Sequence, residues 1–153
     1  MLPEQEYVGL LIAAARKGFK QAVQRHARPL RLTPAQFWFL NAAREMPGTS
    51  LGDLARRQRF DAPTASRLAE GLASRGFVRM HADSRDRRTV RISLTASGGK
   101  LADRIAPIAA AVRTAAVNGL SQRDQDALRA LLRKVIGNLR DFAEEAPSDR
   151  VAG

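Results

Sequence analysis

The sequence predicts a mainly α-helical protein with a small β-wing, and three observations predict it. Apolar residues recur at three- and four-residue steps through separate segments, as they do on helices with one buried face. Near residue 90 the period changes: Val90, Ile92 and Leu94 alternate with Arg91 and Ser93, which is the period of a strand. Proline, glycine and short polar residues stand at the boundaries between segments, where caps and turns need them.

The first helix is expected over about residues 6–27. Val8, Leu11, Ile12, Ala15, Phe19, Ala22 and Val23 form its stripe, with Arg16, Lys17, Lys20 and Arg25 mostly off it. Pro29 ends it, because the residue before a proline leaves the helical region. Thr33-Pro34 opens a second helix, threonine as the cap and proline at the first helical position. Phe37, Leu40 and Ala43, with Trp38, supply its buried side. Met46-Pro47-Gly48-Thr49 is a turn. Ser50 caps a short third helix, with Asp53 three residues on as its box partner; Leu51, Leu54 and Ala55 face inward. Asp61 caps a fourth helix with Pro63 in its first turn. Ala65, Leu68 and Leu72 form its inner side and Gly76 stops it.

Strands are expected at Phe77–His81 and Val90–Leu94. The stretch between them holds no apolar side chain longer than alanine, so it is a hairpin loop reaching into water. Thr95 caps a fifth helix, whose inner side is Leu101, Ile105, Ile108, Val112 and Ala116. Pro107 should kink it by deleting one backbone bond. Asn118-Gly119 ends it, and Ser121 with Asp124 boxes the start of the last helix, expected to bury Leu128, Leu131, Leu132, Val135, Leu139 and Phe142. Residues 33–94 thus form a compact central region. Residues 5–28 and 95–143 are flanking helices that join two copies of the chain, and residues 146–153 are a frayed tail.

A length of 153 residues suits one domain. Lysine and arginine total 26 against 15 acids, an excess that implies a polyanionic partner or a membrane surface. There is no cysteine, which removes disulfides, thiolate metal sites and cysteine nucleophiles together. The two histidines, His26 and His81, lack a neighbouring acidic ligand set, so no metal site is expected. The uncharged stretch from Ile105 to Val112 is far short of the roughly 20 residues a spanning helix needs. Glu4 and Glu6 at the start argue against a signal peptide. A cytoplasmic protein with no membrane partner is the expectation. No nucleophile–base pair, glycine-rich phosphate loop or ligand cluster is visible, so it is not read as an enzyme, and no cofactor is expected.

Three short helices followed by a charged hairpin form the winged helix-turn-helix pattern, in which the helix after the turn enters the major groove. That helix is the segment from Asp61 to Arg75. Its start carries Ala62, Pro63, Thr64, Ser66 and Arg67: small side chains that let backbone approach base edges, hydroxyls that pair with either base, and one arginine that can reach a guanine or a phosphate. The alternative is an ordinary helix start with ordinary capping residues. In the hairpin, Arg85, Arg87 and Arg88 lie within four residues, flanked by Arg79 and Arg91. Arginine suits the strongly negative, narrow minor groove. One of Asp83 and Asp86 is expected to pin a neighbouring arginine through a bidentate pair and so shape the hairpin. The alternative is a solvated charged loop. His81 is either a phosphate contact or a plain surface residue.

Leu51-Gly52-Asp53-Leu54-Ala55, Pro63-Thr64-Ala65-Ser66-Arg67-Leu68, Leu72-Ala73-Ser74-Arg75-Gly76-Phe77-Val78, Asp83-Ser84-Arg85-Asp86-Arg87-Arg88 and Leu94-Thr95-Ala96-Ser97-Gly98 follow in an order and spacing that resemble the MarR family of bacterial transcription regulators. The flanking helices fit too, to about Phe142. The resemblance implies a homodimer with interlocked terminal helices, bound to pseudo-palindromic double-stranded DNA, usually as a repressor. Many members release DNA when a small phenolic or lipophilic anion fills a cleft beside the dimer helices. Carried over by position, Thr64, Ser66 and Arg67 face the major groove and Arg85 or Arg87 is the wing tip. Arg88 either touches DNA or pairs with Asp83. The family's cysteine-based oxidant sensing is excluded here.

A dimer also follows from the residues. The terminal helices carry more apolar surface than a module of about sixty residues can cover, so they pack on each other within the chain or across a two-fold axis. His26, Arg28, Phe37 and Trp38 are the candidates for an effector pocket; the alternative for the two aromatics is plain core. The rival to the whole reading is a winged-helix module that binds protein or RNA and has no specific DNA target.

Overall fold

A computed structural model describes residues 6–145. The tail expected at 146–153 and residue 5 of the first segment lie outside the described residues. The chain divides into two compact units, one running to Ala116 and the other beginning at Val117.

The first unit opens with α1 (Val8–Ala27), a 3-10 turn (Arg28–Leu30) and α2 (Pro34–Glu45). Then come α3 (Leu51–Gln58), α4 (Ala62–Ser74), β1 (Val78–Ala82), β2 (Val90–Leu94) and α5 (Ala96–Ala116). The second unit holds α6 (Gln122–Glu145).

The caps are those the sequence asks for. Thr33 accepts from the Gln36 amide while the Gln36 side chain accepts from the Thr33 amide, a complete box. Ser50 Oγ accepts from the Asp53 amide at 3.1 Å, but Asp53 turns to Arg56 and does not return the bond. Ser121 and Asp124 complete their box in both directions. Gly48 and Gly76, with φ of 69° and 77°, hold the left-handed positions that end the second and fourth helices' turns.

α2 is the hub of the first unit, packing on α1, α3, α4, α5 and β2. Phe39 through Ala43 are buried consecutively, a pattern wider than the stripe of Phe37, Leu40 and Ala43. A helix surrounded on most sides buries most of its circumference, so a one-face pattern understates it. Leu54, Leu72, Ile92, Ile105 and Val23 bring the other elements onto the same core.

β1 and β2 pair antiparallel with Val78 opposite Leu94 and Ala82 opposite Val90. β1 starts one residue later than expected, although the Thr95 amide donates to the Phe77 carbonyl at 3.1 Å and so continues the register by one pair. A third chain segment joins the ribbon. Ser50 bridges Arg91, and the Ile92 amide donates to the Thr49 carbonyl at 2.9 Å. Thr95 Oγ1 caps α5 by accepting from the Gly98 amide and itself donates to the Gly76 carbonyl at 2.6 Å. A β-carbon at Gly98 would fall well inside van der Waals contact with the Phe77 carbonyl, so glycine is required there. α5 runs through Pro107 as one helix.

One expectation is corrected. The last helix was to bury Leu128, Leu131, Leu132, Val135, Leu139 and Phe142, yet α6 has no buried residue. Leu131, Leu139 and Phe142 are more than 60% exposed. Among the described residues no helix is long and apolar enough to cross a membrane.

Candidate nucleic-acid interface

α4 begins with Asp61, whose Oδ1 accepts from the Thr64 amide at 2.7 Å. That bond, with the Thr64 hydroxyl and the nearby Arg67, holds the Asp61 carboxyl below its ordinary range. Ala65, Ala69 and Leu72 point into the core, which leaves the opposite side of the first turns outward. Ala62, Pro63 and Arg67 are exposed there, and Thr64 and Ser66 are half-buried. Among the described residues Arg67 has a single side-chain contact, a long one to Thr64 Oγ1 at 3.4 Å, and it is exposed.

The ribbon's tip is shaped by two aspartates. Asp83 Oδ1 accepts from the amides of Arg85 and Asp86 at 2.7 and 3.1 Å. Its Oδ2 accepts from Arg91 Nε at 2.6 Å. The Arg85 amide first, then Arg91, hold the Asp83 carboxyl below its usual value. Asp86 accepts from the Arg88 amide at 3.1 Å and the Thr89 hydroxyl at 3.3 Å.

Two expectations change here. The aspartate–arginine pair that shapes the hairpin is a single Nε contact across the strands, not a bidentate pair, because Asp83 spends its other oxygen on loop amides. Arg88 meets Asp86 and not Asp83, at 3.4 Å and with its side chain 94% exposed. Arg91 occupies Asp83 and also donates to the Gly48 carbonyl at 3.3 Å, fastening the wing to the turn between α2 and α3. Arg85 and Arg87 are exposed at the tip, with no ion-pair partner among the described residues. His81 is exposed on β1.

A cleft of about 380 Å³ opens between α3, α4 and the ribbon. Ala62, Ser66 and Arg88 all line it, so the structure brings part of α4 and part of the hairpin to one place. Arg56 of α3 lines it as well, its guanidinium paired with Asp53. The sequence reading missed Arg56: a charge pair three residues apart reads as ordinary helix surface, and only the fold turns that side toward α4.

The four effector candidates do not line one cavity. His26 lines a cleft of about 650 Å³ between α1 and α5, with Phe19, Arg25 and Val112. Arg28 lines a neighbouring groove with Gln21 and Gln24. Phe37 is fully enclosed in the core. Trp38 meets Phe37 edge-on, ring centres 5.3 Å apart, and lies under Arg113 at 5.2 Å. Arg113 Nη1 also donates to Glu45 at 2.7 Å, the main reason that this carboxyl sits below its ordinary range, and Asn41 adds a bond at 3.0 Å. The two aromatics therefore belong to the packing of α2 on α5.

Residues 32–89 match the profile of the MarR family. The HTH-type transcriptional repressor NicR of Pseudomonas putida is 32% identical over 131 residues, covering 86% of this chain and 83% of that protein. BpsR of Bordetella bronchiseptica, whose DNA binding is regulated by 6-hydroxynicotinic acid, superposes with a TM-score of 0.72 at 30% identity, over 88% of this chain and 96% of BpsR. A mutant MarR of E. coli complexed with operator DNA superposes with a TM-score of 0.69 over 84% of this chain and 92% of that one; at 23% identity it shows the shared fold.

Proposed function

This chain belongs to the MarR family, and from that premise we propose that it is a transcriptional repressor, a homodimer that binds a pseudo-palindromic operator and is released by a small aromatic or lipophilic anion. The observation that carries the reading is the junction of α4 and the wing. Ala62, Ser66 and Arg88 line one cleft, and Arg67 of α4 and Arg85 and Arg87 of the wing tip are exposed.

The start of α4 enters the major groove. Ala62 and Pro63 let the backbone approach, Thr64 and Ser66 offer hydroxyls to base edges, and Arg67 reaches a guanine or a phosphate. Arg85 and Arg87 extend from the tip to the minor groove or its phosphates, and Arg88 lies nearer the cleft. The dimer is supported by the exposed apolar side chains of α1 and α6, Val8, Leu11, Leu131 and Leu139 among them. Regulation by an anion is supported by the similarity to BpsR. His26 and Arg28 are the candidate effector contacts.

The test is a mobility-shift titration on the DNA flanking the protein's own gene, against random duplex. The expected result is a marked preference for one site, with log affinity falling by about 0.9 per phosphate neutralised for each decade of salt. Arg67→Ala should cost about 1–3 kcal/mol and flatten the preference at one base pair. Arg87→Ala should weaken all sequences alike. Equal affinity for the flanking DNA and random duplex would overturn the operator reading and favour a module without a specific DNA target.

A further inference from the structure

Asp83 sits among the arginines of the hairpin, where its carboxylate repels phosphate. Its bonds give a reason for its presence. Oδ1 accepts from the Arg85 and Asp86 amides and so shapes the turn that carries Arg85 and Arg87. Oδ2 accepts from Arg91 Nε at 2.6 Å. Side-chain exposures of 15% for Asp83 and 36% for Arg91 make this the most covered ion pair among the described residues. Pairs open to water on both sides contribute little, whereas a covered pair of charge-assisted bonds holds its geometry.

Arg91 carries the connection inward. Its Nη1 donates to the Gly48 carbonyl at 3.3 Å, and its backbone bridges Ser50. Ser50 caps α3 and lines the cleft with Ala62 and Ser66 of α4. A two-stranded hairpin by itself is marginal in water. Here a single carboxylate and a single guanidinium link the hairpin's tip to the turn that starts α3, and α3 packs on α4. The exposed arginines of the tip and the start of α4 are thereby held in one frame.

We propose that Asp83 and Arg91 are positioning residues for DNA binding: they fix the pitch of the wing against α4, so that Arg85 and Arg87 meet the duplex while α4 occupies its groove. Asp83 thus strengthens binding despite its charge. This rests on the role of the wing arginines proposed above, which Arg87→Ala in the parent tests by itself.

The experiment is a double-mutant cycle on the intact protein, with affinity for the DNA flanking its gene measured at several salt concentrations. Asp83→Asn keeps an oxygen for the two loop amides and removes the charge that holds Arg91. It makes the protein more basic by one charge, so charge alone predicts tighter binding. Positioning predicts binding weaker by about fivefold or more. Arg91→Gln should weaken binding likewise, and it supplies the test if Asp83→Asn does not fold. Arg87→Ala is then added to each variant. Independent residues give additive costs. The expected result is coupling: the fold-loss caused by Arg87→Ala shrinks by about threefold or more in both backgrounds, because a wing set at the wrong pitch no longer uses that arginine. Unchanged or tighter binding by Asp83→Asn would overturn the proposal. So would a lowered melting temperature with the full cost of Arg87→Ala retained, which is the mark of a merely structural pair. A salt slope reduced by about 0.9 in Arg91→Gln, again with the Arg87→Ala cost intact, would make Arg91 a phosphate contact and overturn it too.

Discussion

In the winged-helix region Phe37, Phe39, Leu40, Leu54, Leu72 and Ile92 are fully enclosed, whereas α6, the longest helix described, encloses nothing. α1 shows both behaviours: Val23 and Ala27 are buried at one end, and Tyr7, Val8, Leu10 and Leu11 are exposed at the other. The first region closes its core with its own residues. The terminal helices present leucines at helical spacing with the cover left to be supplied. An isolated amphipathic helix gains little of its stability from propensity and most from packing. The contrast therefore teaches where the chain encloses its own apolar side chains and where it leaves an apolar stripe exposed.

Breaking the open side should have the largest effect. Leu131→Asp removes about 2 kcal/mol of apolar burial from each copy, about 4 kcal/mol per dimer, which weakens association about a thousandfold. Analytical ultracentrifugation should show monomer at micromolar concentration. A variant that remains dimeric would place the interface elsewhere. Breaking the closed side comes next. Gly98→Ala pushes a methyl against the Phe77 carbonyl and should cost about 3 kcal/mol, read as a lower denaturation midpoint with an unchanged slope. Asp61→Ala removes the cap of α4 and should cost about 1 kcal/mol, with Asp61→Asn recovering most of it. Acidification is the mildest test. Asp53, Asp61, Asp83 and Asp124 all have carboxyls below the ordinary aspartate value of about 3.9. The unfolded chain takes up protons before the folded one does. The stability these groups contribute is therefore full above about pH 4 and is lost as pH falls below it toward the lowered values. Melting temperature should be flat from neutrality to that point and decline beyond it; a decline that sets in near pH 6 would contradict the assignment.

Much of this was legible because it is local. Thr33, Ser50, Asp61, Thr95 and Ser121 each cap through a partner three residues away, a relation visible in the string itself. The strand Val90–Leu94 shows in its alternation and the wing tip in its arginines. What stayed hidden depends on contacts distant in sequence. Arg91 resembles its neighbours, yet it is spent on Asp83 and Gly48, 43 residues away for the second. Arg56 reaches the α4 cleft only because α3 packs as it does. Asn41, at 1% exposure, is a polar residue deep in the most buried helix, made tolerable by Glu45 one turn on. No periodicity singles it out.

The knot at Phe77, Thr95 and Gly98 has a mechanical consequence. The carbonyl that ends the run from α4 is gripped by the residue that starts α5, with no room left for even a methyl group. Wing and long helix meet at a stiff elbow. α5 has 21 residues, so it is a lever about 30 Å long. A tilt of the first turns of α5 would therefore have to carry the base of the wing with it.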